Sequence, residues 1–162
     1  MIQKNNIDGI VLLDKPSMMS SNQAIQKIKR EFNLNKIGHT GTLDPLATGL
    51  LPMCLGKATR IARFLIDSDK TYHATIQLGE KTSTGDKEGE VIETSSVDLP
   101  DDSEVEQIIQ SFVGNQEQIP PMYSALKFKG QRLYKLAIKG MDVPRKSRSI
   151  KIHSIDLLSF DK

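Results

Sequence analysis

The sequence predicts an α+β fold, because strand and helix patterns are mixed along the chain without the strict alternation of a parallel sheet. Three observations support this class. Residues 8–13 form a short apolar run typical of a buried strand, and Pro16 follows it. Residues 70–78 alternate between apolar and polar side chains, as a half-buried strand does. Two amphipathic helical patterns lie elsewhere in the chain.

Both amphipathic patterns begin with the sequence of a capping box, in which two residues three apart satisfy the first backbone amides of a helix. Ser20 and Gln23 begin the first predicted helix. Ser103 and Glu106 begin the second, for which Gly114 is the expected C-cap. Because these signals are local, the two helices are the best-defined predicted elements.

The other elements are shorter. Helical spacing predicts a helix over residues 57–66 and another over 132–139. Residues 38–49 contain three glycines and a proline, which predicts a structured loop. Residues 149–160 are strand-like, and residues 91–93 are expected to return as the second strand of a hairpin.

Length and composition predict an ordinary globular protein. The 162 residues suit one compact unit or a piece of a larger one, with 38% hydrophobic and 26% charged residues. No apolar run approaches the roughly 20 residues that span a bilayer, and the first residues lack a signal peptide, so we expect no membrane partner and a cytoplasmic location. The single cysteine, Cys54, and three scattered histidines predict neither an internal disulfide nor a metal site.

The net charge of +2 is unevenly distributed. Residues 127–151 contain nine basic residues and one acid, and residues 27–66 contain seven basic residues and two acids. Residues 80–117 contain eleven acids and two lysines. Basic segments of this density suit a nucleic-acid backbone, and the alternative is a solvated surface on which charges cluster by chance.

Two common catalytic motifs are missing. The spacing from Gly49 to Gly56 and Lys57 is two residues too long for a P-loop, and Ala58 replaces the required Ser or Thr. This disfavours a nucleotide phosphate-binding enzyme. No G-x-S-x-G sequence marks a nucleophilic serine.

Asp44 is one of only two carboxylates between Lys15 and Asp67. It lies in the glycine- and threonine-rich loop among many cations, where an ionised carboxylate could act as nucleophile or base. The alternative is a turn residue, since Asp is common before Pro and its side chain can accept backbone hydrogen bonds.

A resemblance favours the catalytic interpretation. The run GHTGTLDPLATGLL at residues 38–51 resembles the catalytic-loop signature of bacterial transfer-RNA pseudouridine-55 synthases. Further segments agree in the same order, so that the resemblance covers nearly the whole chain: residues 13–16 with 20–22, 67–72 and 121–127. It implies a mixed, mainly antiparallel sheet flanked by helices.

The resemblance also implies a reaction and its residues. A uridine at position 55 in the T loop of tRNA is isomerised to pseudouridine without a cofactor, with Asp44 as nucleophile. The aspartate attacks C1' or removes a proton from C2' to give a glycal, and the sequence does not decide between these routes. Tyr72 matches a tyrosine that stacks on the target base, and His39 matches a residue that contacts the flipped uridine. The alternatives are a core aromatic for Tyr72 and a loop histidine capping backbone groups for His39.

By the same resemblance, residues 119–149 form a thumb-like insertion that grips RNA, and the partner is the tRNA T arm without an obligate protein partner. The residues expected to contact RNA phosphates are Lys15, Arg60, Lys127, Lys129, Arg132, Arg145, Lys146 and Arg148.

Two departures from the family pattern stand out. Met18 replaces a usual glycine, which predicts strain if that position needs a positive φ. Family members also continue into a Tyr-Ile-Arg segment and a PUA domain, so residues 1–162 are expected to be the N-terminal part of a catalytic domain and to have little activity alone. The alternative function is an RNA-binding or RNA-folding module without catalysis.

Overall fold

The computed structural model describes residues 4–96 and 100–161 and confirms the α+β class. The chain forms two compact units, Met1–His73 and Ala74–Lys162. Small antiparallel sheets and short helices make up both of them. No helix in these two ranges is long and apolar enough to cross a membrane.

A three-stranded antiparallel sheet organises the first unit. Its strands are β1 (Gly9–Lys15), β2 (Ile37–His39) and β3 (Gly49–Leu55), in the order β1-β3-β2. The strand predicted at residues 8–13 is confirmed as β1, which continues to Lys15, directly before the proline that lacks a backbone donor. The sheet therefore carries the chain into the turn at residues 16–20. The prediction that this strand is buried is wrong, because Ile10, Val11 and Leu12 are exposed.

Helix α1 (Ser21–Glu31) packs against this sheet and confirms the first capping box. The hydroxyl of Ser20 accepts a hydrogen bond from the Gln23 amide, and the Gln23 side chain accepts one from the Ser20 amide. The buried side of the helix contributes to the core of the unit, which contains Ala24, Ile25, Leu51 and Met53. Burial of this apolar face holds α1 in place above the loop between β2 and β3.

The helix predicted over residues 57–66 is divided. A 3-10 helix at Gly56–Arg60 precedes α2 (Ala62–Ile66), because the amide of Ile61 bonds to the carbonyl of Ala58 in the tighter i to i−3 pattern. Gly56 has φ +53, and Asp8 lies directly beside it. The carboxylate of Asp8 accepts a hydrogen bond from the Lys57 amide at 2.6 Å.

The strand predicted over residues 70–78 is wrong in the described structure. No described strand pairs with residues 70–77, whose side chains are exposed. The hairpin forms instead between β4 (Glu80–Thr82) and β5 (Val91–Thr94). An alternating pattern defines the two faces of a strand, but hydrogen bonding needs a neighbouring strand that the pattern does not specify.

The prediction that Ser103 and Glu106 form the second capping box is wrong by two residues. Helix α3 (Asp102–Gln110) begins after Asp101, whose carboxylate accepts hydrogen bonds from the Glu104 amide and the Ser103 hydroxyl. A carboxylate at this end also interacts favourably with the helix dipole. Gly114 is not the C-cap; it begins the next strand with φ +109.

The rest of the second unit is built on β6 (Gly114–Gln118) paired antiparallel with β9 (Arg148–Ile152). The chain between these strands forms a small hairpin, β7 (Lys127–Phe128) with β8 (Gln131–Arg132), and helix α4 (Leu133–Ala137). The strand predicted at 149–160 is confirmed only as far as Ile152. Residues 119–147 therefore form an excursion that begins and ends on one two-stranded sheet.

Candidate active site

Asp44 lies in the connection between β2 and β3, at residues 40–48, and its side chain is exposed. Its carbonyl accepts a hydrogen bond from the Ala47 amide at 3.1 Å, which closes a turn around Pro45. At the start of the loop, the amide of the buried residue Thr40 bonds to the carbonyl of Pro52 in β3 at 3.2 Å. The loop is thus anchored to the sheet and presents one carboxylate to solvent.

The side chains of Lys15, Ser17 and Ser21 hold the backbone on both sides of Asp44. Before it, the hydroxyl of Ser21 accepts a hydrogen bond from the Leu43 amide and donates one to the Leu43 carbonyl, both at 2.9 Å. After it, Lys15 Nζ donates to the carbonyl of Pro45 at 3.3 Å. The hydroxyl of Ser17 donates to the next carbonyl, that of Leu46, at 3.1 Å. The loop therefore takes its shape from contacts some 30 residues away in sequence.

The burial of Lys15 corrects its assignment as an RNA contact. Its side chain is 0% exposed, and besides Pro45 its ammonium donates to the carbonyls of Met19 at 2.7 Å and Pro16 at 2.9 Å. Three carbonyl partners use all three donors of an ammonium group. A phosphate cannot reach this nitrogen, so Lys15 supports the site from within.

His39 is the last residue of β2 and is half-buried. Its Nδ1 donates a hydrogen bond to the carbonyl of Gly41, since a carbonyl oxygen only accepts. The ring therefore does cap a backbone group, as the alternative interpretation expected. In the neutral ring this tautomer leaves Nε2 as an acceptor.

Tyr72 belongs to the same compact unit as Asp44 and His39. Its side chain is 69% exposed, which contradicts the alternative that it is a core aromatic. Among the described residues, no hydrogen bond joins Tyr72 to Asp44 or His39. The structure thus places His39 at the end of β2, where the Asp44 loop begins, and leaves the side chain of Tyr72 exposed.

The expected RNA-contacting cations, apart from Lys15, differ in how they are held. Arg145 is partly buried, with its guanidinium donating to the carbonyl of Pro120 and pairing with Asp142, both at 3.1 Å. Arg132 donates to the Ala125 carbonyl. The exposed members of the set are Arg60, Lys127, Lys129, Arg132, Lys146 and Arg148. Arg145 is therefore the member most engaged within the fold.

The cations that neighbour Asp44 in sequence do not pair with it. Within residues 4–96 and 100–161, Asp44 forms no salt bridge; the pairs that do form include Lys57 with Asp8, Lys81 with Glu93 and Arg145 with Asp142. The described part of the chain also contains no cluster of His, Cys, Asp or Glu able to hold a metal ion. The chemistry of this site is that of a solvent-exposed carboxylate on a fixed loop.

Sequence reasoning did not assign a role to Ser17 or Ser21. A signal for Ser21 exists: it occupies the same helical face as Ala24, Ile25 and Ile28, where a polar residue is out of place. The partner, Leu43, is 22 residues away and could not be read from the pattern.

The chain is similar to known proteins over most of its length. The family model for the TruB family of pseudouridylate synthases, N-terminal domain, matches residues 29–162. The tRNA pseudouridine synthase B of Methylobacillus flagellatus is 54% identical over 158 residues, which are 98% of this chain and 52% of that protein. The enzyme of the same name from Neisseria meningitidis is 52% identical over 159 residues, again 98% and 52%. A chain of a solved Cbf5-Nop10-Gar1 complex matches with a TM-score of 0.59 and 26% identity, over 94% of this chain and 36% of that one.

The fold is an incomplete form of the pseudouridine synthase fold. The chain belongs to the TruB family of pseudouridylate synthases and matches its N-terminal domain. It spans about half the length of the curated relatives it matches.

Proposed function

We propose that this chain is the N-terminal part of the catalytic domain of a tRNA-modifying isomerase that acts in the cytoplasm. The reaction is the conversion of uridine to pseudouridine at position 55 in the T loop. The observation that carries this proposal is the exposed carboxylate of Asp44, held on a loop whose backbone is bonded on both sides to residues 15–21. The family membership supplies the class of reaction.

The proposed chemistry needs an ionised carboxylate. The N-glycosidic bond of the uridine breaks, the freed base rotates in the site, and C5 of the base bonds to C1' of the ribose while the C5 proton moves to solvent and N1 gains one. Asp44 serves either as the nucleophile at C1' or as the base that takes a C2' proton to give a glycal. Because product and substrate are isomers, the balance requires no oxidant, reductant or group donor.

Access to the uridine requires that it leave the base stack. Flipping a base costs a few kcal/mol, which stacking and hydrogen bonds in the site can offset. We propose that the exposed ring of Tyr72 stacks on the target base and that His39 contacts the flipped nucleotide. The Nδ1 bond to Gly41 supports this role for His39, because it fixes the ring and leaves Nε2 for the substrate.

The proposed RNA contacts are the exposed cations. Arg60 serves in the first unit, and residues 119–149, which include the excursion and the first two residues of β9, serve as the RNA-gripping insertion. Exposed lysines and arginines interact with phosphates without a large desolvation cost, so each should contribute to a salt-dependent affinity for the T arm. Lys15 is excluded from this set by its burial.

The experiment that tests the proposal measures pseudouridine formation on a T-arm hairpin. The protein translated through its full reading frame is compared with its Asp44→Asn variant, which keeps the shape of the side chain and removes its charge. Asp156→Asn is the matched control, because Asp156 is exposed and far along the chain from the loop. We expect Asp44→Asn to lose detectable turnover with little change in RNA affinity, and Asp156→Asn to retain both.

Two outcomes would overturn the assignment. Equal turnover with and without the Asp44 carboxylate would remove its catalytic role. RNA binding without turnover in any form would favour an RNA-binding module instead. Residues 1–162 alone should show little turnover, and a rate equal to that of the full protein would contradict that part of the proposal.

A further inference from the structure

We infer that Ser21 is a positioning residue for Asp44, and this inference rests on the proposed function. Ser21 is the first residue of α1 and its side chain is only 3% exposed. A buried hydroxyl is unfavourable unless it is hydrogen-bonded. Its two bonds, one accepted and one donated, both go to the backbone of Leu43, the residue directly before Asp44.

Helix α1 itself does not need this hydroxyl. The N-cap is Ser20, whose side chain accepts from the Gln23 amide and whose carbonyl accepts from the Ala24 amide. Ser21 stands on the buried face with Ala24 and Ile25, where alanine would pack well and has the better helix propensity. The contact with Leu43 is therefore what serine provides at this position.

The hydrogen bonds that hold the backbone of Leu43 also fix the position at which the backbone of Asp44 begins. The Leu43 carbonyl belongs to the peptide group that joins the two residues, and this group is planar. An oxygen fixed at 2.9 Å from the Ser21 hydroxyl therefore fixes the plane from which the Asp44 amide and Cα emerge. The Leu43 side chain also packs against the core cluster, so both the backbone and the side chain of Leu43 are held.

The positions of the residues directly before and after Asp44 matter for catalysis, because the rate of a reaction in a site depends steeply on distance and angle. A displacement of about 1 Å can lower a rate by about 100-fold. Without the Ser21 hydroxyl, the amide and the carbonyl of Leu43 both lose their hydrogen-bond partner. The backbone before Asp44 can then rotate. The hydroxyl thus acts on the rate through Asp44 and has no contact with RNA to lose.

The test compares adjacent serines in the full-length protein, with single-turnover rates and RNA dissociation constants measured on a T-arm hairpin. Ser21→Ala removes the bonds to Leu43, and Ser20→Ala removes the helix cap without touching the loop. We expect Ser21→Ala to slow the rate by about 10- to 100-fold with affinity within about 2-fold. Ser20→Ala should destabilise α1 and leave the rate within about 2-fold. Ser21→Thr, which keeps the hydroxyl, should recover most of the rate.

An unchanged rate in Ser21→Ala, or an equal loss in Ser20→Ala, would overturn the inference, since the latter would trace the effect to helix stability. A second measurement does not depend on turnover. Amide hydrogen exchange at Leu43 should accelerate at least about 10-fold in Ser21→Ala and not in Ser20→Ala, given that a lost protecting bond exposes the amide. If the parent protein shows no turnover, the proposed function fails. If amide exchange at Leu43 is unchanged in Ser21→Ala, the positioning role of Ser21 is wrong, whatever the turnover.

Discussion

The ammonium nitrogen of Lys15 lies 3.3 Å from the carbonyl oxygen of Pro45, the residue that follows Asp44. The same nitrogen donates to two carbonyls of the turn at residues 16–19. A buried cation at this point therefore links the end of β1, the turn after it and the proposed catalytic loop.

Replacing Lys15 with methionine should lower the free energy of unfolding by about 3 kcal/mol, because three carbonyls lose a charged donor inside the protein. Urea denaturation followed by circular dichroism measures this change. The control is Lys57→Met, which removes an exposed lysine whose 3.7 Å salt bridge with Asp8 should contribute less than about 1 kcal/mol. Equal effects of the two substitutions would contradict the central role of Lys15.

Met18 confirms the strain that the sequence indicated, since its φ is +62 in the turn beside Lys15. Glycine has no Cβ to clash in this region, so Met18→Gly should raise the free energy of unfolding by about 0.5 to 1 kcal/mol. The side chain is 76% exposed and little packing is lost. Met141→Gly is the matched control at an exposed site without positive φ, and thermal denaturation should show it destabilised. A lower melting temperature for Met18→Gly would refute the prediction.

Gly56 should not tolerate a side chain. At its φ of +53, a Cβ would lie 2.6 Å from the carbonyl of Ile7 and would also clash with the Asp8 carboxylate. Gly56→Ala should therefore destabilise the protein by about 3 kcal/mol through strain and steric overlap. Gly9→Ala, where a Cβ meets nothing within 4 Å, should change stability by less than about 1 kcal/mol. Chemical denaturation of the pair checks the difference, and similar values would show that the backbone at Gly56 adapts.

Cys54 lies in β3 and is fully buried, and this burial raises the pKa of its thiol. Since the thiolate is the reactive form, a disulfide reagent should modify folded protein far more slowly than protein in denaturing urea. The raised pKa also has a consequence for stability. Above about pH 8.5 the unfolded thiol ionises while the folded thiol keeps its proton, so this group lowers stability as pH rises further. Fast modification of the folded protein at neutral pH would contradict this.

Local signals in the sequence were sufficient for α1. Its capping box uses Ser20 and Gln23, and bonds that span three residues depend on little else. The cap of α3 shows the limit, because Asp101 and Ser103 lie within one turn and both can cap. The carboxylate of Asp101 takes the amide, and the serine becomes a helical residue.

The sequence was insufficient to predict features that depend on contacts with residues far away in the chain. Residues 70–78 have the alternation of a strand, but pairing depends on a neighbour elsewhere. Lys15 has the sequence context of a surface cation, yet carbonyls at positions 16, 19 and 45 converge around it. The motif around Asp44 was recognisable from the residues, whereas the bonds that shape its loop became visible only when residues 15–21 and 43–46 were placed in space.

The loop at residues 40–48 has almost no regular structure of its own; its form is set by a serine at the start of α1 and by a lysine at the end of β1. A synthetic peptide with this sequence would be conformationally free in water, and so would the same residues inserted between two strands of an unrelated scaffold. Anyone transplanting the Asp44 motif must move residues 15–21 with it. The smallest unit that keeps the shape of this site therefore consists of two chain segments, residues 15–21 and 40–48, in contact with each other.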